Sequence, residues 1–353
     1  MEQLLNNRLA NQGLYPPRFN SAAESLTRLG AIQGQDYNGA KWSLGLRVPG
    51  SSDAIIEQAI ADQAIVRTWA MRGTLHFVAA EDLQWLLALL GPRIITTNGR
   101  RYKQLELDSG TLARADEILV AALADGRHLN RQELRPFLEN AGISTAGQRM
   151  VYMLQHASLN GRICQETAPK NKPLFTLAPR QKEPQRLFDR PNALAELALR
   201  YFTTRGPAAL DDFVWWSGLL VADARAGLEG AAPELVREKE GGKEYWLPKS
   251  PSPLPDSLPE IMLLPGFDEY LVSYRDRSAV IADAHYPAWS RTNAMFSPTI
   301  LLRGQVKGFW KREIKRGEVT VIPELFNDLT EDETAALEEA ALEFTHWFNF
   351  NPR

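Results

Sequence analysis

Arg149-Met150-Val151-Tyr152-Met153-Leu154-Gln155-His156, followed by Gly161-Arg162-Ile163-Cys164-Gln165 and then Leu174-Phe175-Thr176-Leu177, decides the fold. The first run has helical periodicity and the two that follow read as short strands, joined by a lysine and proline turn. Helices are expected just upstream at Ala113–Val120 and Gln132–Leu138. Three helices and a two-stranded return are what a winged helix requires.

The same order recurs on both sides. Upstream, Ser21 precedes an apolar helical pattern through Leu29, a plausible capped helix. A second helix near Asp53 leads into alternation over Ile65–Ala70, and Leu75-His76-Phe77-Val78 completes a hairpin. Downstream, Asn192–Ala198 and Asp211–Trp216 start helices, and Leu235–Arg237 pairs with Tyr245–Leu247 across Gly241-Gly242. A proline-rich linker over Pro248–Pro259 precedes four short apolar runs and an acidic terminal helix. The expected fold class is α+β: three tandem winged-helix units at 1–105, 106–185 and 186–255, then a β-rich, barrel-like domain at 256–353.

Composition excludes more than it identifies. At 353 residues with 44% apolar and 24% charged side chains, the chain has ordinary globular composition and length for several modules. One cysteine, Cys164, precludes an internal disulfide and argues against cysteine-held zinc or iron–sulfur clusters, so no metal or other cofactor is expected. The opening residues carry no secretory pattern and no apolar run reaches membrane-spanning length, which makes the cytoplasm the expected location. Phosphate-loop, dinucleotide and His-Glu-x-x-His motifs are absent. Net charge is −3, but Arg303, Lys307, Lys311, Arg312, Lys315 and Arg316 cluster ahead of the acidic helix. Such segregation either gives a phosphate-attracting face or two surfaces that neutralise each other.

Gln33-Gly34-Gln35 places two neutral amides where the helix through Leu29 is expected to end. Each amide donates and accepts hydrogen bonds, so a pair can hold water against a reacting carbon without carrying charge. Residues two apart share a side only on extended backbone, so the helix must stop before Gln33.

The run Leu29–Asp36, with Ala40–Val48, Val66–Val78, Gly266-Phe267-Asp268-Glu269-Tyr270-Leu271 and Tyr274–Ser278, resembles the AlkZ-like family of winged-helix DNA glycosylases over nearly the whole chain. The resemblance implies that Gln33 and Gln35 are catalytic. It also implies an activity: hydrolysis of the N-glycosidic bond of alkylated purines in duplex DNA, with interstrand crosslinks as a further substrate class. The protein would then act as a monomer, associated with the nucleoid when bound to DNA. Relatives often carry an aliphatic residue between the glutamines, where Gly34 loosens the backbone here.

Around this motif, Asp36 is either an alternative base or a cap. His76 is a structural histidine or a supporting catalytic group. Arg67 and Arg72 are divided between phosphate contact and structural pairing, while Lys41, Arg149, Arg275 and Arg277 are phosphate candidates. Asp268 and Glu269 either brace the DNA groove or lock the β-rich part against the first unit, the latter being favoured; Trp42 and Trp69 are read as core anchors before base-stacking residues, and Trp215-Trp216 as packing residues. The competing function classes are a non-catalytic winged-helix DNA-binding regulator and a protein-interaction scaffold.

Overall fold

A computed structural model describes residues 2–168, 172–179, 188–254, 259–281, 296–315 and 318–349. Residues 169–171, where a lysine and proline turn is expected, residues 255–258 of the expected linker and Arg316 lie outside the described residues.

The first segment runs α1 Glu2–Asn11, α2 Ala22–Leu29, β1 Ile32–Gln33, α3 Tyr37–Gly45, α4 Asp53–Ala61, β2 Ile65–Trp69, β3 Leu75–Ala79, α5 Leu83–Thr97 and α6 Gly99–Gln104. Ser21 caps α2 by accepting from the Glu24 amide at 3.1 Å. Gly30 ends it with φ of 81°, a conformation that costs glycine little. The next segment contains α7 Ser109–Ala122, α8 Arg131–Asn140, α9 Arg149–Leu159, β4 Ile163–Ala168 and β5 Lys172–Leu177. The third has α10 Arg190–Arg205, α11 Leu210–Ser217, α12 Val221–Ala231, β6 Leu235–Glu240 and β7 Lys243–Pro248. Last come β8 Ile261–Leu264, α13 Glu269–Val272, β9 Thr299–Leu302, β10 Gln305–Lys315, β11 Glu318–Leu325 and α14 Glu331–Asn349.

The hairpins of the first two segments do not stay separate. Arg67 in β2 pairs with Gln165 in β4, joining them into one sheet of order β1-β3-β2-β4-β5. Pairing edge to edge satisfies backbone groups that each hairpin alone would leave open. Trp69 stacks on Phe175 across the seam, with ring centroids 6.3 Å apart. The third hairpin, β6–β7, stands alone, and the final strands form an antiparallel sheet of order β11-β10-β9-β8.

Two shared cores fix the first segment between the others. Ile32, Trp42, Ile65 and Phe77 pack with Ile261, Ile300, Trp310, Phe344 and Trp347 of the C-terminal part. Val66, Val78, Leu86 and Leu90 pack with Leu197, Tyr201, Phe213 and Trp216 of the third segment. Trp42 donates to the Leu263 carbonyl at 2.7 Å, which makes it the anchor expected of it. Trp215 departs from the packing reading. It is 41% exposed while Trp216 is buried, because successive helical residues point about 100° apart. β1 lies where these three parts meet.

Candidate active site

The chain leaves α2 at Gly30 and is extended by Ile32, so the break required before Gln33 is present. β1 is an edge strand on β3, with Ile32 opposite Phe77 and Gln33 opposite His76. Gly34 is held on both sides: its amide donates to the Leu75 carbonyl at 2.7 Å, and its carbonyl accepts from Arg67 Nε at 3.0 Å. These bonds offset the looseness expected of glycine at this position.

Gln33 is buried, and its Oε1 accepts from Arg72 Nη2 at 3.2 Å. One lone pair of that oxygen and both amide hydrogens remain for other partners. Arg72, at the tip of the β2–β3 hairpin, also donates to the Trp216 carbonyl. Gln35 is exposed at the edge of the same site. Arg67 reaches both the Gly34 and Gln35 carbonyls and the Gln165 amide oxygen, so it braces the motif from beneath while largely buried.

Glu269 carries the largest share of the support. Its carboxylate accepts from the Gln33 backbone amide at 3.1 Å, Arg205 Nη2 at 2.7 Å, Trp216 Nε1 at 2.8 Å and Ser273 Oγ at 2.7 Å. Burial opposes its ionisation, yet the Arg205 guanidinium and these bonds hold its pKa below the ordinary carboxylate value. Burial, reinforced by the Arg72 cation, lowers the His76 imidazole to about 4. Its Nδ1 lies 3.0 Å from the Thr74 carbonyl, which places the proton of the neutral ring there. The other ring nitrogen, Nε2, is buried with no hydrogen-bond partner among the described residues.

A family model described as DNA glycosylase AlkZ-like matches residues 26–347. The chain belongs to the AlkZ-like DNA glycosylase family. It is 28% identical over 343 residues to the interstrand DNA cross-link repair glycosylase of Streptomyces sahachiroi, covering 90% of this chain and 88% of that one. The solved structure of Streptomyces sahachiroi DNA glycosylase AlkZ superposes with a TM-score of 0.79 at 24% identity, over 100% of this chain and 97% of that one. That likeness shows a shared fold of mixed helix and sheet. Family membership makes the chain a DNA glycosylase and DNA its substrate.

In this AlkZ-like glycosylase the remaining candidates divide. Lys41 requires correction: it is buried, with Nζ 2.6 Å from both Asp53 and Glu57, so no phosphate can replace those partners without breaking an internal ion pair. Arg149 donates to the Ser144, Leu105 and Glu106 carbonyls, and so ties α9 to the loop after α6. Arg275 is exposed and pairs with Asp211 at 3.1 Å. Arg277 donates to the Leu271 carbonyl and lies over the Trp215 ring. Asp36 immediately precedes α3 but its side chain makes no capping bond; it lies over Gly39 instead. Asp268 forms a two-pronged pair with Arg47 at 2.9 and 3.0 Å, both fully buried, which locks the C-terminal part to the turn after α3. Of the basic cluster, Arg303, Lys311 and Lys315 pair with Glu260, Glu324 and Glu313. Arg205 and Gln165 belong to no recognisable motif, and no local signal marks them.

No helix among the described residues is long and apolar enough to cross a membrane. Among the described residues no group of three or more His, Cys, Asp or Glu could hold a metal ion.

Proposed function

We propose that this glycosylase excises alkylated, cationic purines from duplex DNA, crosslinked purines included, with Gln33 and Gln35 as its catalytic residues. The observation that carries this reading is the setting of Gln33: its side chain is held by Arg72, and the carboxylate beneath it, Glu269, is buried and taken up by Arg205, Trp216, Ser273 and the Gln33 amide. His76 at about 4 is neutral at pH 7, and Glu269 is ionised and consumed by Arg205. Neither supplies a proton to a departing base. A purine alkylated on a ring nitrogen already carries positive charge and leaves without one, so the site suits that class of substrate.

What remains is orientation and electrostatics. Gln33, fixed by Arg72, and Gln35 at the rim offer amide oxygens that accept hydrogen bonds from an attacking water. They also present negative dipole ends to the oxocarbenium-like sugar as the bond breaks. Arg67 fixes the backbone between them, and His76 acts as a neutral neighbour. The water then adds to the sugar carbon and its proton passes to solvent or to Asp36.

Units at 1–105, 106–185 and 186–255 serve in this reading as winged helices cradling the duplex, with the 256–353 part locked behind the catalytic strand. The α7–α8–α9 helices followed by β4–β5, and α10–α11–α12 followed by β6–β7, support it. The protein acts as a monomer on nucleoid DNA.

The test is release of N7-methylguanine from methylated duplex DNA in metal-free buffer. Gln35→Ala is expected to abolish release while duplex affinity stays within a few-fold. An equal loss of binding would reassign Gln35 to docking, and release by the Gln33→Ala, Gln35→Ala double variant would remove the amides from catalysis.

A further inference from the structure

Residues 83–105 contain Arg93, Arg100, Arg101 and Lys103 and no carboxylate. In the other basic run, 303–315, Arg303, Lys311 and Lys315 are already paired with carboxylates. Here Arg93, Arg100 and Lys103 are exposed, and the side chains of Arg100 and Lys103 make no hydrogen bond or ion pair among the described residues. Arg101 donates to Gln104 and Gln148 at the surface.

Asn98, which joins α5 to α6, is itself in the right-handed helical region, so the two helices continue each other closely. Positions 93, 100 and 103 then fall on one face. At 1.5 Å per residue the stripe extends about 15 Å. That is the axial reach of roughly four phosphates of one DNA strand.

The stripe begins beside the catalytic motif. Arg93 Nε donates to the Gly218 carbonyl at 2.8 Å, and Gly218 abuts the Arg72 side chain that holds Gln33. Further along, Asn98 donates to Gln155, which donates in turn to the Gly73 carbonyl at the hairpin tip. The basic face and the amide pair are thus fastened to the same hairpin.

We propose that the α5–α6 face, through Arg93, Arg100 and Lys103, grips the phosphates of the DNA strand that delivers the damaged base to Gln33 and Gln35. The inference rests on the DNA-repair reading above and assigns it a strand-docking surface. Such contacts position the duplex and carry no sequence information.

Equilibrium binding of a fluorescent duplex between about 50 and 200 mM salt separates the two ideas. Each phosphate contact contributes about 0.9 to the slope of log affinity against log salt, so Arg100→Ala with Lys103→Ala should reduce its magnitude by about 2. The charge-keeping pair Arg100→Lys with Lys103→Arg should retain the wild-type slope. A wild-type slope in the alanine pair would overturn the docking surface and leave the glycosylase reading intact. Absence of salt-dependent duplex binding by the wild type would overturn both.

Discussion

Replacing Glu269 by glutamine keeps the shape of the side chain and removes its charge from beneath β1. The Arg205 guanidinium is fully buried and faces this carboxylate at 2.7 Å. Losing one member of a buried ion pair strands the other in low dielectric, at a cost of about 3–5 kcal/mol. A glutamine also brings two hydrogens toward donors from Gln33, Trp216 and Ser273, so at least one of them loses its acceptor. The expected destabilisation is therefore about 4 kcal/mol, a large part of a typical folding free energy of about 5–15 kcal/mol. Urea denaturation of wild type, Glu269→Gln, Arg205→Met and the double variant gives the coupling directly. The double variant should cost less than the sum of the singles by at least about 2 kcal/mol, because removing both charges removes the stranded one. A Glu269→Gln cost below about 1 kcal/mol, or strict additivity, would refute the buried-pair account.

Acid should weaken the fold through His76. Its pKa near 4 in the folded chain lies below the ordinary 6.5, so the unfolded state binds more protons between these values and stability rises with pH there. Stability is fully present above about pH 6.5 and falls by about 3 kcal/mol on descending to pH 4; a His76→Gln variant should lose that part of the slope in thermal melts. A Lys41→Met substitution should cost roughly 3 kcal/mol by stranding the nearly buried Asp53, with the salt slope of duplex binding unchanged; a reduced slope would return Lys41 to the DNA interface. For Gly34→Ala, the new methyl group would sit 3.3 Å from the His76 and Phe77 backbone, so β3 must yield slightly. The expected cost is about 1 kcal/mol with base release retained, and a tenfold loss of release would show that the motif needs glycine.

Local chemistry made much of this protein legible from its residues. Ser21 and Gly30 delimit α2, alternation marks β2 and β3, and Gln33 falls on extended backbone because a glycine stops the helix before it. Those features depend on neighbours within a few positions, which periodicity and capping report. Tertiary structure decided what the side chains at those positions do. The Gln33 amide is held by Glu269 across 236 positions of chain, Arg67 braces the motif against a glutamine from another hairpin, and Lys41 is drawn inward by two carboxylates of α4. A basic side chain reads alike in a sequence whether it meets solvent or an internal carboxylate. Only packing selects between them, because burial makes an unpaired charge too costly and so admits a cation such as Lys41 only where carboxylates meet it.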